Sequence, residues 1–153
     1  MMNIDIDTIN QIIASVFEEM LTMSTEFFDA GDAASDGERV VASIRISGGL
    51  EGIVVVEAPT ETAQQIAETM FATDGSRISD EEVCDAVGEI VNMIGGNIKG
   101  LSDGVSQLSL PCVSRETVTP TAEIPLTSMA DVLVSGLPLK VYWHHLAEDT
   151  AAV

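Results

Sequence analysis

Residues 79–101 read SDEEVCDAVGEIVNMIGGNIKGL, and the architecture turns on how this stretch folds. Ser79-Asp80-Glu81-Glu82 fits a capping box, in which a Ser side chain and a Glu three residues later satisfy each other's backbone N–H groups at a helix start. At 100° per residue, Val83, Val87, Ile90, Ile94, Ile98 and Leu101 then fall in one narrow wedge. The spacing predicts a helix over about 80–101 with a defined core face. A helix with one apolar stripe must bury it against another layer.

The flanking sequence supplies that layer. Two β-branched runs, about 39–47 and 50–57, meet at Gly48-Gly49, a hairpin signal. Ile53-Val54-Val55-Val56 is apolar on both faces, which predicts a strand inside the sheet with both sides covered. Thr60 can cap a second helix, about 61–72, with a stripe of Ala63, Ile66, Ala67, Met70 and Phe71, ended by Asp74-Gly75. Further out, Ile9, Ile12, Ile13, Val16, Phe17, Met20 and Leu21 predict a first helix over about 7–21. The small, acidic stretch 29–37 reads as a loop. After the long helix come a strand at about 106–114 and a stretch punctuated by Pro120 and Pro125. A hairpin follows, 131–135 and 139–144, turned by Gly136-Leu137-Pro138, and the tail after Leu146 is expected to fray. The order predicts an α+β fold: one domain over residues 1–153, with a largely antiparallel sheet covered by helices.

Composition narrows the partners. The chain carries 25 acidic against 6 basic side chains, a formal charge of −19. With 46% hydrophobic residues it can still build a core, so the charge does not imply disorder. Such a surface repels phosphate backbones and anionic lipid, which argues against nucleic acid and membrane as partners. The N-terminal residues lack the basic and apolar regions of a signal peptide, and no apolar run is long enough to span a bilayer. Cys84 and Cys112 are too few and too isolated for a disulfide scaffold or a zinc site. A cytoplasmic location with reduced thiols is expected.

The polar side of the long helix is unusual. Asp85, Glu89, Asn92, Gly96 and Lys99 form a stripe opposite the core wedge. Polarity there is ordinary, but good solvent-facing helix positions hold Glu, Lys, Gln, Arg or Ala. Here Asn92 stands at the midpoint with Gly88, Gly95 and Gly96 around it. Each interior Gly costs about 1 kcal/mol relative to Ala, so the helix gives up roughly 3 kcal/mol. Local rules broken together mark packing constraints or function. Gly88 and Gly95, with Cys84, would let a neighbouring helix approach, whereas Gly96 leaves a notch on the outward stripe. Glu89 and Asn92 at i and i+3 project together. A carboxylate can hold a cation or act as a base, and a carboxamide can orient water without titrating.

Taken as Asp85-x-x-x-Glu89-x-x-Asn92-x-x-x-Gly96-Asn97-x-Lys99, the stretch resembles the signature of the CheC/CheX/FliY family of chemotaxis phosphatases. Its continuation through Met93-Ile94-Gly95-Gly96-Asn97-Ile98-Lys99 looks most like the CheX branch. The helix before it, the Gly-separated strand pair, the helix at 60–72 and Leu108-Ser109-Leu110-Pro111 after it sit where a CheX-like domain would have them. The resemblance implies a phosphatase acting on the phospho-aspartate of a CheY-like receiver domain. It implies Glu89 as the contact to the receiver's active-site lysine and Asn92 as the residue that orients the attacking water. Asp85, Gly96 and Lys99 would contact the partner. No metal ligand is implied on this chain, because the receiver would bring Mg²⁺, and a homodimer is implied by the family alone. Family members of the CheC type carry a second motif on the first helix. Here that helix offers only Asn3-x-x-x-Asp7-x-x-Asn10, so one site is expected and Asp7 reads as a helix-start residue.

Other residues suggest less. His144 and His145 are adjacent in a strand, point to opposite faces and cannot readily share a metal. Asn97 falls at the margin of the core stripe and is expected to bond a backbone. Cys84 and Cys112 read as small buried hydrophobes, and the Met residues as core filler. The alternative to the phosphatase is a catalytically silent module that uses the same helix to bind a receiver or to dimerise.

Overall fold

The computed structural model describes residues 4–28, 37–72, 78–102, 104–116 and 128–146. The elements are α1 (Ile6–Ala14), a π-helical turn (Ser15–Met20), β1 (Thr25–Phe28), β2 (Arg39–Gly48), β3 (Gly52–Pro59), α2 (Thr60–Phe71), α3 (Asp80–Lys99), β4 (Ser106–Leu108), β5 (Cys112–Glu116), β6 (Ser128–Val134) and β7 (Leu137–His145). All strand pairs are antiparallel, in the order β1-β6-β7-β3-β2-β4, with β5 also paired to β2. The expected α+β domain is therefore present: three helices on a large antiparallel sheet. No helix among the described residues is long and apolar enough to cross a membrane.

Pleating assigns the two faces of the sheet. One row runs Ala130–Val141–Val56–Ala42 across four strands, and all four side chains are buried in the core with Val83, Val87, Ile90 and Ile94 of α3. The next row, on the opposite face, runs Asp131–Lys140–Glu57–Val41. Lys140 Nζ lies 3.0 Å from Asp131 Oδ1, and Arg39 pairs with Glu57, both of them buried. Tyr142 sits among these charges, and burial together with Glu57 pushes its phenol well above the usual tyrosine range. The expectation that β3 is covered on both sides holds for one side only. Val54 and Val56 are buried, whereas Ile53 and Val55 are half-buried.

Several element limits differ from the sequence reading, each for a local reason. The first helix widens into a π turn after Ala14, which holds an extra residue per turn. That turn brings Leu21, not Met20, onto the core stripe, so Leu21 is buried and Met20 is 67% exposed. Thr60 is the first residue of α2 and does not cap it; its hydroxyl donates to the Glu38 carbonyl (2.9 Å). Helix α3 ends at Lys99, because Gly100 closes the last turn onto Gly96 and Ile98, and Leu101 falls outside the core. The last hairpin turns at Ser135-Gly136, both with positive φ, as a two-residue turn of matching twist requires. Pro138 belongs to β7, near its start. The Asp74-Gly75 helix stop, the Pro120/Pro125 stretch, the tail beyond 146 and nearly all of the acidic loop, residues 29–36, lie outside the described residues.

The largest departure is at residues 106–114, expected as one strand. They form two, β4 and β5, both on the free edge of β2. Leu108 pairs with Ile46 and Cys112 with Ser43, so residues 109–111 oppose only Ile44 and Arg45. This is a β-bulge, one residue longer than the strand it faces. Ser109 anchors it: its N–H donates to the Arg45 carbonyl and its hydroxyl accepts from the Arg45 N–H, each at 2.9 Å. Pro111, without an N–H, cannot extend the ladder.

Candidate functional site

The working face is set at the first turn of α3. Ser79 accepts from the Glu82 N–H, and the Glu82 carboxylate accepts from the Ser79 N–H, both at 3.1 Å. The capping box expected from sequence is formed, and it fixes the phase of every later side chain. Arg115 on β5 braces the same end, with Nη2 3.1 Å from Asp80 Oδ1 and Nη1 2.7 Å from Glu38 Oε1.

From that start, Val83, Val87, Ile90, Ile94 and Ile98 are buried. On the opposite stripe Asp85 and Glu89 are exposed, and Asn92, Gly96 and Lys99 are half-buried. The structure therefore brings the five candidate residues onto one ridge, about 21 Å long at 1.5 Å per residue. Asp85, Glu89, Asn92 and Lys99 make no hydrogen bond or ion pair with the described residues. Four of the six basic residues, Arg39, Arg45, Arg115 and Lys140, are engaged in ion pairs elsewhere. Among the described residues, Asp85 and Glu89 have no cation paired with them.

The glycines divide into two kinds. A Cβ on Gly88 would stand 3.1 Å from Val113 Cγ2, and one on Gly95 would stand 2.9 Å from Ile44 Cγ2. Their neighbour is the sheet, not the helix that the small-residue pattern suggested. A Cβ on Gly96 would meet nothing within 4 Å. Opposite outcomes follow for two adjacent substitutions. Gly96→Ala is expected to gain up to about 1 kcal/mol of helix propensity. Gly95→Ala must push on the stiff, buried Ile44 and is expected to lose about 1 kcal/mol despite the same propensity gain. Paired thermal melts check the difference in sign.

Other sequence expectations fare unevenly. Asn97 is exposed, not at the core margin, and its Nδ2 donates to the Met93 carbonyl at 2.8 Å. Cys84 is half-buried and Cys112 exposed, so neither is a buried hydrophobe; both are free thiols. Met20 is exposed rather than core filler. His144 stacks on Tyr142 and His145 on Trp143, each within its own face. No group of three or more His, Cys, Asp or Glu side chains able to hold a metal ion occurs among the described residues.

Two grooves flank the ridge. One, of about 460 Å³, is lined by Cys84, Asp85, Gly88, Glu89, Leu110, Pro111 and Val113. The other, of about 380 Å³, lies between the π turn and the second half of α3, with Glu19, Met20, Met93 and Gly96 in its walls. The sequence reading missed both borders. Pro111 inside an assumed strand was the available signal, since proline interrupts a ladder.

In comparisons with known proteins, residues 40–124 match the family model for the chemotaxis phosphatase CheX. No curated protein matches significantly in sequence. Among solved structures, the fold is similar to the chemotaxis protein CheX from Desulfovibrio desulfuricans. The TM-score is 0.68 at 19% identity, over 90% of this chain and 96% of that one. It is also similar to a chain of the CheX–CheY–BeF3–Mg²⁺ complex from Borrelia burgdorferi (TM-score 0.65, 21% identity, 93% of this chain and 98% of that one). FliY from Thermotoga maritima is similar as well, with a TM-score of 0.59 at 22% identity over 96% and 93% of the two chains. The family match spans more than half of the sequence and contains the whole ridge of α3, and the chain belongs to the CheX family of chemotaxis phosphatases.

Proposed function

We propose that this protein hydrolyses the phospho-aspartate of a CheY-type receiver domain, with Glu89 and Asn92 at the centre of the contact. The observation that carries the reading is the exposed Glu89 one turn from Asn92, neither of which makes an ion pair or hydrogen bond with the described residues. Glu89 meets the receiver's active-site lysine, and Asp85 adds negative charge beside it. The Asn92 carboxamide, a donor and an acceptor in one group, holds a water in line with the phosphoryl group. The water oxygen attacks phosphorus and the P–O bond to the aspartate breaks. The carboxylate leaves, and the water's proton departs with inorganic phosphate.

Little covalent chemistry is asked of this chain. Phosphoryl transfer is catalysed mainly by positioning and charge stabilisation, and the receiver contributes the labile acyl phosphate and the Mg²⁺. The CheX–CheY complex from Borrelia burgdorferi, which contains BeF3 and Mg²⁺, supports a receiver as the partner. The backbone around Gly96 gives the receiver room to approach the ridge, and Lys99 closes its far end. The test is direct. Receiver domains from the same organism are phosphorylated with a small-molecule donor in Mg²⁺, and phosphate loss is followed with and without this protein. Acceleration of roughly 10-fold or more for at least one receiver is expected, a small part of what orientation can supply. No acceleration for any of them rejects the reading.

A further inference from the structure

The bulge between β4 and β5 has a functional placement. It adds one residue at the point where the edge strand passes α3, and the side chain it turns outward is Leu110. At 89% exposure Leu110 is the most exposed large hydrophobic residue among those described. It stands across a groove of about 460 Å³ from Asp85 and Glu89. With Pro111, Val113 and Cys84 it borders that groove as contiguous apolar surface rimmed by Asp85 and Glu89, and such a rimmed apolar surface marks an interaction site where a lone exposed leucine would not. Bulges gather beside active sites, where they re-aim one side chain. The loop is also rigid. Ser109 is held by two backbone-directed bonds to Arg45, its hydroxyl contacts the Leu110 carbonyl (3.1 Å), and Pro111 fixes the next φ. A rigid anchor loses little entropy on binding.

The geometry points to Leu110 as the apolar anchor that seats the receiver domain against α3. This inference rests on the proposed function. The partner surface that fits has a cation flanked by an apolar side chain. The cation meets Glu89 and Asp85, which pair with no cation among the described residues, while the apolar group fills the groove between Leu110 and the Cα atoms of Gly88 and its neighbours. Leu110 thus supplies affinity, and Asn92 supplies the chemistry.

The experiment separates these roles. A receiver domain loaded with BeF3 and Mg²⁺ is titrated with wild-type, Leu110→Ser and Leu110→Met proteins, and the phosphorylated receiver is used for steady-state kinetics. Leu110→Ser is expected to raise Kd and KM by roughly 10- to 100-fold, as the loss of a central anchor does, with kcat within about twofold of wild type. Leu110→Met restores most of the affinity. Because the side chain is nearly fully exposed, its replacement leaves the melting temperature unchanged. Wild-type Kd and KM in Leu110→Ser overturn the anchor, as does a fall in kcat without a change in Kd. A wild-type protein that binds the receiver without hastening phosphate loss rejects the phosphatase reading instead, and the Leu110 titration still decides the anchor.

Discussion

Asn92→Ala is expected to slow receiver dephosphorylation by roughly 100-fold or more, the scale associated with loss of a positioning group, while the Kd for the BeF3-loaded receiver stays within about twofold. The structure makes this a clean substitution. Asn92 is half-buried on the outward ridge and makes no hydrogen bond within the described chain. Its removal therefore strands no buried partner. Alanine is also the better helix former, so the variant should be slightly more stable, by up to about 0.7 kcal/mol. A drop in activity accompanied by a rise in melting temperature is not what damage to the fold produces. Single-turnover phosphate loss and a thermal melt on the same samples provide both readouts. If Asn92→Ala and wild type dephosphorylate equally, the carboxamide does not orient the water. If neither accelerates phosphate loss but both bind, the helix is a silent docking element.

Gly52→Ala is expected to cost about 3 kcal/mol, at the upper end of overpacking effects, from a total stability of about 5–15 kcal/mol. The cause lies on the neighbouring strand. Val54 pairs with Trp143, and the indole extends along the sheet over Gly52. A Cβ built on Gly52 would overlap the six-membered ring of that indole, 2.1 Å from Cη2 and 2.5 Å from Cζ3. Trp143 is fully buried and its ring N–H has no hydrogen-bond partner among the described residues, so packing and the stack with His145 hold it. An aromatic side chain lying over a strand glycine in this way compensates for the missing side chain. At about 2–4 °C per kcal/mol for a domain of this size, the melting temperature should fall by roughly 6–12 °C. Urea midpoints with an unchanged m-value would show that stability alone has moved. Combining Gly52→Ala with Trp143→Phe should recover part of the loss, because the smaller ring vacates the clash. Strict additivity of the two changes would place the strain elsewhere.

How much of this was legible in the sequence follows the range of the interactions. The start, phase and faces of α3 depend on contacts within four residues, and the five ridge positions could be read from spacing. The strand pair at Gly48-Gly49 was equally local. The end of α3, the π turn and the bulge were not. Each depends on what packs alongside: Met20 is exposed because the chain must hand Leu21 to the core, and Leu110 because residues 109–111 must match two residues of a distant strand. The glycines show the same division. Periodicity placed Gly88 and Gly95 on one flank of α3, but only the fold shows that a sheet lies there. Nothing local to Gly52 reveals Trp143, which is 91 positions away. Arg39 and Glu57 gave no sign in sequence that they would be buried.

That last pair, with Lys140 and Asp131, sets how strictly the strands must align. A slip of one residue between β7 and β3 would exchange the two faces of the moving strand. Lys140 and Tyr142 would then point into the helix-covered core, and Leu139, Val141 and Trp143 would leave it. In a sheet built from valine and isoleucine alone, neighbouring alignments differ little in energy. Here a one-residue slip would also carry Lys140 away from Asp131 and into the apolar layer under the helices. The charged row works as a key that fits only when each strand turns its correct face to the helices.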